Sequence, residues 1–390
     1  MTTEATHRDG DPAGHQTPGE PVRRAHSRAA DPRDAASELR SGLGDDTFAA
    51  VVLFASTAYD LAGLAAAVTA ELPGVLTIGC TTAGEIGAAG YVDGSVSAVG
   101  LAASSFVVSA ARIADLDAFD EAAARETAAG LLAGVDGPSE QCFSLLLIDG
   151  LSIREERVAR QCQRALGDVP LIGGSAGDDQ AFAATYVLHD GRFDHGAVWV
   201  VVRTALPFAI FRSSHFVGQG EPLVVTAADA ERRIVKEING LPAAREYARV
   251  VGVEVSELSQ RRVAAAPLVV KLGGNDYVRS IQRVNEDESL TLYCAIERGV
   301  VLRVARGLEL VDARRDVFDD VHRRIGQPLL TLAFDCIQCK VEAEHLDGKR
   351  AVQELFLDHN VVGFAGYGEQ FVGTHVNQTF TGVAIGGGRA

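Results

Sequence analysis

Three stretches of the chain repeat one phrase: an apolar run, a glycine, small residues, a second glycine and an acid. The copies are Ile78-Gly79-Cys80-Thr81-Thr82-Ala83-Gly84-Glu85, Ile172-Gly173-Gly174-Ser175-Ala176-Gly177-Asp178, and Val361-Val362-Gly363-Phe364-Ala365-Gly366-Tyr367-Gly368-Glu369. An apolar run that stops at glycines and a carboxylate predicts a buried strand entering a tight turn whose backbone lies open to close approach. From the start of the preceding apolar strand to the glycine before the acid, Phe48 to Gly84, Phe143 to Gly177 and Leu329 to Gly368, the spans are 36, 34 and 39 residues. Near-constant spacing of this kind marks an internal repeat and restricts the chain to folds that three similar units can build together.

Each copy predicts strand, helix, strand, glycine turn and paired strands. In the first, Phe48–Ala55 is a strand, Thr57–Leu72 a helix closed by Pro73-Gly74, and Gly94–Ala102 with Phe106–Arg112 a β pair. In the second, Ser152-Ile153-Arg154-Glu155 has the pattern of a capping box opening a helix, and Thr185–His189 with Ala197–Arg203 predicts a hairpin across Asp190-Gly191. Between the second and third copies a region with further strands begins near residues 227–240. It carries Asn239-Gly240 as a turn and Pro242 ahead of a helix bearing Tyr247. The fold class expected is α+β, with repeated βαβ-turn-ββ units forming mixed sheets with packed helices. Its expected divisions are a disordered leader over 1–44, a domain over 45–232 and a second over 233–390.

At 390 residues with 47% hydrophobic content, the chain is long enough for two or three cores. Residues 1–40 hold 6 basic and 7 acidic side chains, so the remainder carries −15 of the net charge of −16. An acidic balance excludes nucleic acid and anionic membrane as expected partners. The sequence has neither an uncharged apolar run of spanning length nor a secretory leader, so no membrane insertion and a cytoplasmic location are expected. The six cysteines are scattered and read as reduced core residues.

The candidate ligand-binding residues cluster at the glycine turns: Gly84, Glu85, Gly177, Asp178, Gly366, Tyr367, Gly368 and Glu369, with His375, Asn377 and Thr379 just beyond the third. Free N–H groups there suit an anion and the carboxylates an ammonium group. Equally, Glu85, Asp178, Asp179 and Glu369 suit the role of accepting backbone N–H bonds that staple the turns. Asn377, Gln378 and Thr379 offer donors and acceptors for a zwitterion or for a turn. Cys80 is conceivable as a nucleophile only if a base and a helix terminus lower its pKa. Cys336 and Cys339 have redox or half-zinc-site spacing without a second pair. Neither pair nor single cysteine assigns a catalytic residue, and no metal is expected.

Residues Gly79–Glu85, Gly173–Asp179, Asn239–Tyr247 and Gly363–Thr379 together resemble the FIST family, and the resemblance covers nearly all of residues 45–386. It implies an amino-terminal FIST domain and a carboxy-terminal companion forming an intracellular sensory module for small ligands, with amino acids one class, rather than an enzyme. Some members resemble haem-binding, nitric-oxide-responsive sensors, which makes His215 and His375 the candidate haem ligands here. The absence of a Cys-x-x-Cys-His sequence excludes covalent c-type haem. With no kinase or cyclase segment in the sequence, the expected output is to a separate partner such as a histidine kinase or cyclic-di-GMP enzyme.

Overall fold

The computed structural model describes residues 19–87, 90–272, 274–345 and 348–387. Three six-stranded mixed sheets, one centred on each repeat, form a ring, and an eight-stranded antiparallel sheet is attached to it. In each repeat the first two strands pair in parallel, Phe48–Ala55 with Thr77–Thr81, Cys142–Ile148 with Leu171–Ser175 and Pro328–Cys336 with Val361–Gly366. A helical crossover links each pair, by one helix in the first two repeats and by Ile337–His345 and Lys349–Asp358 in the third, as parallel pairing requires.

The glycines of the repeated phrase are dictated by this parallel pairing. A Cβ on Gly79, Gly173 or Gly363 would lie 1.7, 1.9 or 1.7 Å from the carbonyl oxygen of Leu53, Leu146 or Ala333, its partner on the neighbouring strand. Only a residue without a side chain fits, which is why the phrase recurs.

The strands after each glycine turn do not stay with their own unit. The hairpin Glu85–Gly87/Gly90–Val92 joins the third sheet, Val187–His189/Arg192–Asp194 the first, and Glu369–Phe371/Thr374–Val376 the second. Each unit thus completes a neighbour, and the exchange closes on itself. The turns meet in a matching cycle of hydrogen bonds: Ala83 N–H donates to Ala365 O at 2.8 Å, Gly177 N–H to Thr81 O at 3.0 Å, and Tyr367 N–H to Ser175 O at 3.1 Å. Inside the ring the three sheets face one core that includes Phe54, Phe334 and Phe364. These rings lie 4.9 to 6.4 Å apart, within the range of attractive aromatic pairs.

Local pairing departs from expectation in three places. Val96–Ala102 and Phe106–Ile113 both form strands, but the first joins the first sheet and the second the edge of the second sheet, so they are not a β pair. The turn at Asp190-Gly191, with φ of 46° and 78°, closes the short hairpin Val187–His189/Arg192–Asp194, while Ala197–Thr204 enters another sheet. Two positive φ values match the twist of a two-residue hairpin. The capping box at Ser152 does not form, because Glu155 is drawn to Arg233 instead; Ser152 Oγ only accepts from Arg154 N–H at 3.3 Å.

The leader is also corrected from residue 19 onward. Val22–Ser27 is an ordered strand on the edge of the first sheet, followed by helix Pro32–Leu43. It occupies the place that Phe106–Ile113 and Phe208–Ser213 occupy in the other two sheets. Without it the first sheet would lack the edge strand the others have. Arg23 is buried against Asp46, and Asp31 caps the helix ahead of Pro32. Residues 1–18 of the expected leader lie outside the described residues.

In each repeat a helix follows the edge strand: Pro32–Leu43, Glu121–Val135 and Leu310–Ile325. Short connections suffice in the first two. In the third, the eight-stranded sheet of residues 216–307, with helices Ala243–Val251 and Gln260–Ala265, is inserted between strand Phe208–Ser213 and helix Leu310–Ile325. The insertion has its own core around Tyr247, Leu268, Ile281 and Leu302. No helix among the described residues is long and apolar enough to cross a membrane.

Candidate functional site

A cavity of about 730 Å³ opens where the insertion meets the ring. Its volume is that of a small-molecule site. The insertion contributes Gln260, Arg261, Ala264 and Ala265 from one helix, Gln282 and Arg283 from a strand, and Tyr293. From the ring come Gln180 and Phe182 of the loop after the second glycine turn, Gln378 after the third, and one face of helix Ile337–His345, namely Ile337, Gln338, Val341 and Glu342.

The loop bearing Gln180 and Phe182 is built by two expected site residues. Asp178 accepts N–H bonds from Phe182, Ala183 and Ala184 at 2.9, 2.6 and 2.9 Å, and the Tyr367 hydroxyl donates to it. Tyr367 Oη in turn accepts from Gln180 N–H at 3.0 Å. This scaffold holds Gln180 and Phe182 at φ of 68° and 50°, a left-handed conformation costly for residues of their kind. The Phe182 ring stacks on Tyr367 at 4.7 Å and an interplanar angle of 17°, with Tyr293 6.3 Å away.

Gln378, at φ of 48°, spans the two bodies. Its carbonyl accepts from Ser280 Oγ and its amide donates to Ala264 O, both at 2.9 Å. On the opposite wall Glu342 holds His215 Nε2 at 2.8 Å, and His215 O accepts Leu308 N–H at 2.6 Å, so this contact sits at the strands leading into and out of the insertion. The same helix is tied to the first glycine turn by Lys340, which donates to Ala83 O at 3.1 Å and pairs with Asp93.

A buried ion cluster joins the insertion to the ring beside the cavity. Arg233 donates to Glu155 and Glu156, each at 2.5 Å, and to Tyr293 O at 2.7 Å. Burial pushes Glu155 up to about 7 despite Arg233. For Glu156 burial also opposes charge, but the Arg233 guanidinium and the Ala295 N–H leave it below the ordinary carboxylate value.

The other expected site residues lie in the ring rather than on the cavity wall. Glu85 is buried and accepts from Ser95 N–H at 3.0 Å, Ser95 Oγ at 2.6 Å and the Thr82 hydroxyl; burial pushes it up to about 7. Glu369 occupies the equivalent place, accepting from Thr379 Oγ1 at 2.5 Å and N–H at 3.3 Å, and burial pushes it well above the ordinary range. Its second oxygen has no partner among the described residues. Asp179 is exposed and accepts from Ser56 Oγ at 3.0 Å. Gly84, Gly177, Gly366 and Gly368 are packed at the turn junctions, where an added Cβ would meet neighbouring atoms within 2.7 Å. The turn N–H groups expected to hold an anion are taken up at Ala83, Gly177 and Tyr367 by the cycle that closes the ring.

His375 is enclosed beside Gly368 and bonds Gln370 through Nδ1 at 3.2 Å. Burial lowers it to about 4, and Nε2 and the Asn377 Oδ1 have no partner among the described residues. Cys80, Cys336 and Cys339 are buried, and burial pushes all three thiols well up. Among the described residues no group of three or more His, Cys, Asp or Glu side chains is placed to hold a metal ion.

The turns come together through the ring's hydrogen-bond cycle, but the cavity wall is formed by neighbours of the expected residues: Gln180 and Phe182, two and four residues beyond Asp178, and Gln378 between Asn377 and Thr379. Phe182, Tyr293, Arg261 and the helix face at Gln338 carry no chemical motif, and only the junction with the insertion singles them out. Residues 49–241 match the FIST N domain and residues 243–372 the FIST C domain. No curated protein matches the chain.

Proposed function

Because the chain belongs to the FIST family, with the two-domain FIST N and FIST C architecture of a sensory protein, we propose that it is a signal-transduction sensor whose ligand binds in the cavity between insertion and ring. The observation that carries this reading is the composition of the wall, half from each body, so that a guest touches both. A ligand shifts a conformational balance only by its preference for one arrangement, and contacts to both bodies supply such a preference. The strands beside His215 and Leu308 are the natural hinge.

The ligand is an amino acid or a metabolite of similar size, with Arg261 and Arg283 suited to a carboxylate. Gly177, Asp178 and Tyr367 act by holding the Phe182 loop, and Asn377 and Thr379 by flanking Gln378. Gly84, Glu85, Gly366, Gly368, Glu369 and His375 act through the ring behind them. The output passes to a separate signalling protein, a histidine kinase or a cyclic-di-GMP enzyme. FIST domains are generally non-catalytic sensory modules, and the enclosure of Cys80 supports the same reading over a thiol enzyme.

A thermal-shift screen of amino acids and small metabolites tests the proposal when run on the parent and on Ala264→Trp, which fills the cavity from the insertion side. A saturable shift lost in the variant supports it, and a shift that survives contradicts it. Haem remains a second reading on one observation, that His215 lies directly behind Glu342 of the wall. A stoichiometric Soret band removed by His215→Ala, rather than by His375→Ala, would favour it.

A further inference from the structure

Resting on that reading of the cavity, we propose that its ligand is a planar aromatic anion that stacks on Phe182 and places its charge at Arg261. Phe182 is an aromatic side chain 41% exposed, on a backbone at φ of 50°. Asp178 and Tyr367 hold it there at a conformational cost that core packing does not require. Tyr367 covers one face of the ring in near-parallel contact at 4.7 Å, and the cavity takes the rest. Tyr293, its ring centroid 6.3 Å from that of Phe182 and tilted at 39°, lines the cavity beside it and extends the aromatic surface. A preformed stack of this kind rewards a flat π system and favours no aliphatic chain of equal size.

Polar groups around the platform match the edge of such a molecule. Gln180 and Gln338 stand on the ring side and Gln282 on the insertion side, each carrying a donor and an acceptor. Gln338 Oε1 is shielded from solvent, so the groups facing the cavity are those of Gln180 and Gln282 and the remaining atoms of Gln338. Arg261 is exposed at the wall and makes no hydrogen bond or ion pair with the described residues. Arg283 beside it is partly engaged, donating to Asn285 Oδ1 at 2.8 Å. The counter-charge, Glu342, is already paired with His215. A wall cation without an ion-pair partner among the described residues, beside a carboxylate already paired with His215, selects an acid over an amine.

Isothermal titration of the full chain with indole-3-acetate, adenosine 5′-monophosphate and flavin mononucleotide tests the inference, with cyclohexaneacetate as the saturated control. At least one planar anion should bind saturably at one per chain. Phe182→Leu should weaken it about tenfold or more, the scale of lost stacking, and Arg261→Gln should weaken it with a reduced salt dependence. Cyclohexaneacetate should bind at least about tenfold more weakly than indole-3-acetate if the latter binds. Binding by none of the three, or equal affinity in parent and Phe182→Leu, would overturn the inference. An aliphatic amino acid whose binding is lost in Ala264→Trp but unchanged in Phe182→Leu would overturn the ligand class and leave the site standing. Planar-anion binding that survives Ala264→Trp would overturn both.

Discussion

Replacing Glu85 by Gln should make the ring less sensitive to rising pH, and the structure sets the size of the effect. In the fold Glu85 keeps its proton to about pH 7 because burial penalises the charge, against an ordinary value of 4.5. Between those two values the folded state binds more protons than the unfolded chain, so stability falls as pH rises from about 4.5 to 7 and stays reduced above it. A difference of about 2.5 units corresponds to on the order of 3 kcal/mol. Gln keeps the acceptor for Ser95 and can donate to Thr82, but has no proton to lose. Urea midpoints at pH 5 and pH 8, followed by fluorescence of Trp199, the single tryptophan and a core residue of the ring, read the difference directly. The variant should be within about 1 kcal/mol of the parent at pH 5 and gain on the order of 3 kcal/mol relative to it at pH 8. A gap independent of pH, or a variant weaker at pH 8, would mean that Glu85 is ionised in the fold and that its burial does not govern it.

Gly363→Ala drives a Cβ to 1.7 Å from Ala333 O and should cost about 3 kcal/mol or more, whereas Gly94→Ala, at φ of 66° with nothing nearby, should cost about 1; equal melting temperatures would contradict the register. Arg233→Met leaves Glu155 and Glu156 facing each other in the interior and should cost about 3–5 kcal/mol. Adding Glu156→Gln should recover part of that loss, and a double variant no more stable than the single would show that the cluster does not act as a unit. His375, lowered to about 4 by burial, contributes stability that is complete above pH 6.5 and is lost as pH falls toward 4. Its imidazole signals should therefore remain those of the neutral ring at pH 5, and protonation near 6.5 would contradict its enclosure.

The repeat was legible because its glycines answer a local demand, a carbonyl lying where a side chain would be, and that demand is written three times. The exchange of hairpins was not. Val96–Ala102 and Phe106–Ile113 have ordinary strand patterns and a short connection, and the choice of different sheets is made by the closure of the ring. The strand Val22–Ser27 was hidden by its charge, since Arg23 and Arg24 resemble a solvated leader until Asp46 meets Arg23 in the fold. Signals for the next helix were present in Asp31-Pro32 and the spacing of Ala35, Ala36, Leu39 and Leu43. At the candidate site, Asp178 and Tyr367 stood out as an acid and an aromatic at glycine turns. Their role as supports for Phe182 depends on a contact across 189 residues of sequence. Tyr293 and Gln338 gain meaning only from the packing of the insertion against the ring.

The most direct test of the account is hydrogen–deuterium exchange of the full chain with and without a saturating hit from the metabolite screen. Protection concentrated in segments 179–184, 260–265, 280–293 and 337–342, which line the cavity from both bodies, is the predicted result. Protection confined to the groove near Tyr59, Tyr186 and Phe193, or to one body alone, would contradict a sensor in which the ligand joins the insertion to the ring.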